Sequence, residues 1–347
     1  MRKLFWVLLG VAAIPVSGVI YQKLCAWRDR RRYCTLGRLV RLPTSTVYLY
    51  DVGPLHQDST TGVTVLFESG IGATSQNWIA IQRAIAAHSR AVSYDRAGLG
   101  WSSAATCTPT PEHLAGELRA LLAESKISGP YLLVAHSFGG LVARRFAADY
   151  PADVLGLVLV DPMRPDDWPP LADAAEASVS RGIRLARGGH IAACVGLSRL
   201  FMRSTLLGSR RIARLLCRLG GEPTQNLMER ILCEVGKMPP EVWPSVVANW
   251  SRPQFYRTVE AYLRSIPETA IAMHAAPPLS LPVTVLTPIT ATPLTNSQLR
   301  AISSNAQQLI APASAHWIHL DEPELVLAAI RELLANVALP SETSTVG

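Results

Sequence analysis

The chain has 347 residues, 49% of them apolar and 17% charged, and a formal net charge of +7. This length accommodates one large α/β domain with an insertion, or two domains, and the apolar fraction excludes an intrinsically disordered protein. The positive charge indicates only some affinity for anionic surfaces.

The first element is an apolar segment that starts after Met1-Arg2-Lys3 and runs without charge from Leu4 to Gln22. Its length is near that of a bilayer-spanning helix, so we predict an N-terminal membrane anchor within residues 1–35. A cleaved signal peptide is the alternative because the start is basic, but no A-x-A site ends the segment. The basic cluster that follows the segment favours a cytoplasmic position for the rest of the chain.

The chain then alternates short apolar strands with amphipathic helices. The predicted strands are 37–42, 47–52, 63–67, 91–94, 131–135, 154–160, 283–286 and 307–310, and the predicted helices between and after them are 76–88, 111–125, 138–149 and 323–337. The first two strands suggest an antiparallel pair. The others indicate a parallel sheet covered by helices on both faces.

This alternation is interrupted between about Pro162 and Pro278, where only helical periodicity broken by prolines is found. We therefore predict an α/β core formed by 36–162 and 279–338, a helical cap formed by 163–278, and a flexible tail at 339–347. We expect the cap to lie over the carboxyl ends of the strands, because ligands bind there in such sheets.

A serine stands at one strand-to-helix junction, in the pentapeptide Ala135-His136-Ser137-Phe138-Gly139. A strand that ends and a helix that begins within three residues require a tight turn, which exposes the serine hydroxyl above the helix N-terminus. This is the G-x-S-x-G nucleophile-elbow layout with alanine in place of the first glycine. We predict that Ser137 is a nucleophile; a Ser-Gly turn without chemistry is the alternative.

A serine nucleophile needs a base and an orienting acid. His316 follows the last predicted strand and is the predicted base, with His319 as the second candidate. The loop after strand 283–286 contains no carboxylate, so the acid must come from elsewhere. Asp161, at the end of strand 154–160, is the predicted acid; a residue that caps the turn made with Pro162 is the alternative.

The oxyanion hole requires two backbone N–H groups. We assign them to Phe138, directly after the nucleophile, and to Ile71 in the glycine-containing loop after strand 63–67. Glu68 in the same loop is a possible acid of the pocket, or a structural carboxylate that pairs with Arg96. The six cysteines show no zinc-like spacing, and we expect no metal, no organic cofactor and no nucleic-acid partner.

With these residues assigned, the chain resembles the α/β-hydrolase superfamily from about Leu36 to Ala338 outside the cap. The resemblance rests on five segments in the expected order, at residues 68–72, 93–102, 135–139, 157–162 and 316–325. It implies a mostly parallel eight-stranded sheet, and the triad and oxyanion roles given above. Some branches of the superfamily, including haloalkane-dehalogenase-like enzymes, take the acid from the position of Asp161. The serine nucleophile disfavours dehalogenase or epoxide-hydrolase chemistry through an alkyl-enzyme ester.

The cap is rich in arginine and has no acidic residue between 181 and 218. Four of its arginines, Arg210, Arg211, Arg214 and Arg218, share one helical face, which is typical of membrane-surface helices. A solvated cap face is the alternative. Binding to anionic lipid would admit a lipophilic acyl or ester substrate from the bilayer.

The sequence thus predicts a serine hydrolase that cleaves an ester, thioester or lactone through an acyl-enzyme on Ser137. An acyltransferase or a cofactor-free perhydrolase or haloperoxidase would use the same triad. A non-catalytic binding protein of the same fold is the third possibility. The pattern does not distinguish these, because water access to the acyl-enzyme decides between hydrolysis and transfer.

Overall fold

The computed structural model describes residues 2–54, 61–206, 229 and 233–338, and side chains from residue 15 to residue 336 within these ranges. The predicted tail at 339–347 lies outside the described residues. The strands are β1 (Arg38–Arg41), β2 (Thr46–Val52), β3 (Thr64–Glu68), β4 (Arg90–Asp95), β5 (Tyr131–His136), β6 (Val154–Val160), β7 (Leu279–Pro288) and β8 (Ser303–Ala311).

The strands form one eight-stranded sheet in the order β1-β2-β4-β3-β5-β6-β7-β8. β1 and β2 pair antiparallel with each other, and β2 is antiparallel to β4. All the remaining pairs are parallel. The fold class predicted from the sequence is therefore confirmed, and β5 lies in the middle of the sheet with the elbow at its carboxyl end.

Helices cover both faces of this sheet. The described helices are α1 (Arg2–Tyr33), α2 (Ile79–Ile85), α3 (Pro111–Glu124), α4 (Gly139–Asp149), α5 (Glu176–Cys194), α6 (Leu197–Leu206), α7 (Trp243–Trp250), α8 (Pro253–His274), α9 (Asn296–Ile302), α10 (Ile318–Asp321) and α11 (Pro323–Ala338). Alternate residues of β5 enter different cores. Leu133 packs in the cluster that contains α3 and α4, whereas Val134 packs in the cluster that contains α2 and α11.

Between β6 and β7 the described residues form helices and turns only. This agrees with the absence of strand patterns there. Two of the arginines in this region pair with acids from other helices: Arg187 with Glu260 at 2.8 Å, and Arg199 with Asp29. The basic face formed by Arg210, Arg211, Arg214 and Arg218 lies outside the described residues.

The prediction of an N-terminal membrane anchor is wrong. Of the helices that the structure describes, none is long and apolar enough to cross a membrane. The carboxyl-terminal half of α1 packs instead on α5 and α7. Gln22 and Asp29 are buried there, and both bind the guanidinium of Arg199. The length of an apolar segment gives no information about these contacts with another helix.

Candidate active site

The turn after β5 holds Ser137 in a left-handed conformation, with φ of 53°. Such a backbone is strained for a residue with a side chain and marks nucleophile elbows. Three backbone hydrogen bonds hold the turn. The N–H of Ser137 donates to the carbonyl oxygen of Val160 at 3.1 Å, and the carbonyl oxygen of Ser137 accepts from the N–H groups of Gly140 and Met163 at 2.9 and 3.0 Å. The elbow predicted from the pentapeptide is thus present in the backbone.

Glycine is required at position 139 by a close approach of the chain. A Cβ atom there would lie 2.6 Å from the carbonyl oxygen of Ser69 and 2.8 Å from that of Glu68. The loop after β3 can therefore approach the start of α4 only because residue 139 has no side chain. This contact brings the two predicted oxyanion segments together.

Asp161 and His316 are in direct contact. Asp161 directly follows β6, and its N–H donates to the carbonyl of Leu286 at 2.8 Å. His316 lies between β8 and α10, and its Nδ1 is 2.6 Å from Asp161 Oδ2. The side chain of His316 is 41% exposed and that of Asp161 is 22% exposed. An imidazole held by a carboxylate through Nδ1 presents Nε2 as a base.

The third predicted member, Ser137, is half-buried at the adjacent strand end. Among the described residues, neither its hydroxyl nor His316 Nε2 makes a hydrogen bond. Catalytic hydrogen bonds are often long in enzymes without substrate and shorten in the substrate complex. The structure therefore brings Asp161 to His316 and leaves the serine hydroxyl without a partner.

His136, which sequence reasoning missed, connects the elbow to the histidine loop. It is 1% exposed, and its Nε2 lies 2.9 Å from the backbone carbonyl oxygen of His316. Burial, followed by the neighbouring His319 and His316, holds the pKa of His136 well below its usual range. The neutral ring donates from Nε2 to this carbonyl. The sequence did contain a signal for a role near the site, because His136 directly precedes Ser137 at the carboxyl end of the central strand.

His319, the second candidate base, occupies a different environment. Its ring stacks on Trp78 with 4.4 Å between centroids, and it is 2% exposed. Neither ring nitrogen has a hydrogen-bond partner within the described part of the chain. Burial, with a smaller contribution from His316, lowers the pKa of His319 to about 3. This residue is a buried neutral imidazole without an orienting carboxylate.

The backbone N–H groups of Ile71 and Phe138 have no acceptor within the described residues. Gly70, which precedes Ile71, runs beside the elbow: a Cβ at Gly70 would lie 3.3 Å from Ser137 Cβ. Two unpaired donors near a serine hydroxyl are what an oxyanion hole requires.

Arg96 holds the loop that carries Ile71. Its Nη2 donates to the carbonyl of Ser69 at 2.9 Å and to that of Gly70. Its guanidinium also lies over the rings of Phe138 and Tyr262, at 5.7 and 4.9 Å from the centroids. Sequence reasoning had considered Arg96 only as a partner of Glu68.

Glu68 is a structural carboxylate in this arrangement. It is 2% exposed, lies 3.5 Å from Arg96 Nη1 and accepts from the hydroxyl of Tyr94. Burial raises its pKa, and the charge of Arg96 opposes this rise. Of the two alternatives for Glu68, the structure supports the pairing with Arg96.

Apolar side chains of the helical region cover the elbow. Phe138 packs edge-on against Tyr262 with 5.1 Å between ring centroids. Met163, Ile266 and the half-buried Ile71 belong to the same cluster. Across the described ranges, no group of three or more His, Cys, Asp or Glu side chains is placed to hold a metal ion.

Comparison with known proteins identifies the family of the fold. Residues 63–323 match the family model of the alpha/beta hydrolase fold. The chain is 35% identical to the uncharacterized protein YqjL of Bacillus subtilis over 31% of its own length and 42% of that protein. It is 32% identical to the (lyso)-N-acylphosphatidylethanolamine lipase of Mus musculus over 38% of its length and 40% of the lipase. Each match thus spans less than half of the relative.

The fold is also similar to that of solved structures. The crystal structure of Cfl2 from Burkholderia cenocepacia superposes with a TM-score of 0.65 at 19% identity. The superposition covers 86% of this chain and 95% of Cfl2. At this level of identity the likeness concerns the fold alone.

Proposed function

Because the chain belongs to the α/β-hydrolase family, we propose that it is a serine hydrolase that cleaves a carboxylic ester, thioester or lactone through an acyl-enzyme on Ser137. The observation that carries the proposal is the 2.6 Å contact between His316 Nδ1 and Asp161 Oδ2, beside a serine held at φ of 53°. A strained serine next to a carboxylate-bound imidazole is the arrangement used for acyl transfer.

In the proposed reaction, Ser137 Oγ attacks the substrate carbonyl and His316 Nε2 takes the hydroxyl proton. The N–H groups of Phe138 and Ile71 stabilise the resulting oxyanion. Collapse breaks the bond to the leaving alcohol or thiol, which receives the proton from His316, and leaves the acyl group on Ser137. Water then attacks this ester while His316 takes its proton. The second collapse releases the carboxylic acid and returns the proton to Ser137.

The apolar cluster above the elbow supports an acyl group with hydrocarbon character. Phe138 and Met163 belong to this buried cluster, and the half-buried Ile71 and Trp168 that pack against it offer the accessible apolar surface. Burying such a chain contributes about 0.8 kcal/mol for each CH₂ group. The name of the murine relative, a lipase, is consistent with a lipophilic substrate.

Hydrolysis is favoured over transfer to another acceptor because the proposed base is accessible to water. The side chain of His316 is 41% exposed and that of Asp161 is 22% exposed. An acyltransferase or perhydrolase must limit access of water to the acyl-enzyme, since water otherwise competes for it.

A fluorophosphonate probe tests the proposal, because it reacts with serine nucleophiles that are activated by a base. The wild-type protein and Ser297→Ala, altered at an exposed serine of α9, should be labelled, and Ser137→Ala should not. Absence of labelling in the folded wild-type protein would contradict the hydrolase proposal and favour a non-catalytic binding protein. A series of p-nitrophenyl esters of increasing acyl length would then define the substrate class.

A further inference from the structure

A cavity of about 120 Å³ lies beside Pro162 and Met163, which follow the end of β6. It is bounded by α4, the end of β6, the carboxyl end of α8 and α9. The walls are mostly apolar and include Leu159, Met163, Met273 and Ile302. The ionisable residues that line the cavity are Arg144, Arg164, Asp166 and His274. This volume is somewhat below the roughly 150 Å³ of an apolar cavity that binds benzene and well above the space one water needs, so we consider only ligands of a few heavy atoms.

Arg144 is unusual because it is buried without a carboxylate. The residue is 8% exposed, yet none of the ion pairs among the described residues includes it. Its one hydrogen bond is long, at 3.4 Å from Nη2 to the carbonyl oxygen of Ala301. The neighbouring Arg145, by contrast, pairs with Asp149 and Glu112. A buried charge is normally paired, because its removal from water is costly.

The acidic groups near the cavity do not neutralise Arg144. Asp166 is the nearest source of negative charge, but its Oδ1 is bound to His274 Nδ1. Asp167 is paired with Arg164 at 2.6 Å. Burial lowers the pKa of Arg144, and Asp166 opposes this effect. An arginine nevertheless keeps its charge at neutral pH.

We propose that this cavity is a binding site for a small monocarboxylate, whose carboxylate pairs with Arg144 while its short alkyl chain contacts Met163, Met273 and Ile302. An arginine fork matches a carboxylate with two parallel hydrogen bonds, and the apolar walls exclude a strongly hydrated ion. The cavity shares Met163 with the cluster that covers the elbow, but neither Ser137 nor His316 lines it, and the proposal does not depend on the hydrolase function.

Thermal unfolding of the full chain at neutral pH and low ionic strength tests the site. Sodium butyrate should raise the melting temperature by a few degrees in a saturable manner, because a ligand that binds only the folded state stabilises it. Butyramide, which has the same shape without the charge, should not. An equal effect of the amide, or no saturable effect of butyrate, would overturn the proposal.

Variants then locate the site. Arg144→Gln should weaken butyrate binding at least tenfold in a calorimetric titration, whereas Arg145→Gln, altered at the exposed neighbour, should bind like the wild type. Asp166→Asn should bind more tightly, since it removes a negative charge near the ligand. If Arg144→Gln does not fold, Met273→Trp fills the cavity while it keeps the arginine, and it should lose binding. Retention of butyrate binding in Met273→Trp and in a folded Arg144→Gln would contradict the assignment.

Discussion

His316 Nδ1 lies 2.6 Å from Asp161 Oδ2, although 155 positions separate the two residues in the chain. Asp161 follows β6, and the loop after β8 reaches it across the end of β7, where the carbonyl oxygen of His316 is bound by His136 at the end of β5. The carboxylate thus comes from the strand next to the elbow, and the loop after β7 does not have to supply it.

Asp161→Asn should reduce kcat by about 10²–10⁴-fold, because an amide no longer selects the tautomer in which Nε2 is the base. kcat is measured on the p-nitrophenyl ester that the wild-type protein cleaves fastest. Asp167→Asn, a change at an exposed acid of the same loop, is the control and should retain activity. Full activity of Asp161→Asn would show that another group orients His316.

Arg96→Lys should lower kcat on the order of tenfold or more with little change in KM, since one ammonium group cannot hold the carbonyls of both Ser69 and Gly70. Arg96 is a positioning residue in this prediction. Loss of its charge alone would leave the buried Glu68 without a cationic partner, which costs about 3–5 kcal/mol.

The matched control for Arg96 is therefore the double variant Arg96→Gln/Glu68→Gln, which removes both charges. It should fold with near wild-type stability but remain slow in the acylation step. Full acylation rate in this folded variant would indicate that Arg96 serves stability alone.

His136→Phe should lower kcat by up to about 10²-fold, because it removes the donor that holds the His316 carbonyl and so displaces the base. His136→Gln keeps an N–H donor at similar reach and should recover part of the activity. The pH dependence of kcat/KM, measured for both variants, separates a shift in the base from a general loss of folding. Equal rates in the two variants would argue against a positioning role of the bond.

His319 should make the protein sensitive to acid. Its pKa in the folded state is lowered to about 3, whereas an imidazole in the unfolded chain titrates near 6.5. Between these values the unfolded chain binds a proton that the folded chain does not. The free energy of unfolding should therefore fall as the pH decreases through this window, by about 1.4 kcal/mol per unit from this residue.

His319→Phe tests this effect, because phenylalanine keeps the stacking on Trp78 and does not titrate. Urea unfolding measured between pH 7.5 and 5 should show a smaller decrease in stability for this variant than for the wild type. His113→Phe on α3 serves as the control. An unchanged pH dependence in His319→Phe would mean that the pKa of His319 is the same in the folded and the unfolded protein.

Much of the fold is legible in the residues because it depends on local patterns. The apolar runs around Leu133 and Leu157, and the junction at Ser137, specify strands and an elbow within a few residues of each other. The structure also extends what the pattern indicated. β7 runs from Leu279 to Pro288, longer than predicted, and 75–78 form a 3-10 turn before α2.

Contacts between distant segments depend on strand order and on helix packing, which a local pattern does not contain. The donor bond of His136 to His316 spans 180 positions, and the bond of Gln22 to Arg199 spans 177. The second of these lies at the end of the apolar segment of α1, where Gln22 is buried against a residue of another helix. Residue chemistry therefore identified Ser137, Asp161 and His316 as candidates. Only the tertiary structure brought the carboxylate to the imidazole, because β6 and β8 are parallel strands on either side of β7 and their carboxyl ends lie at one edge of the sheet.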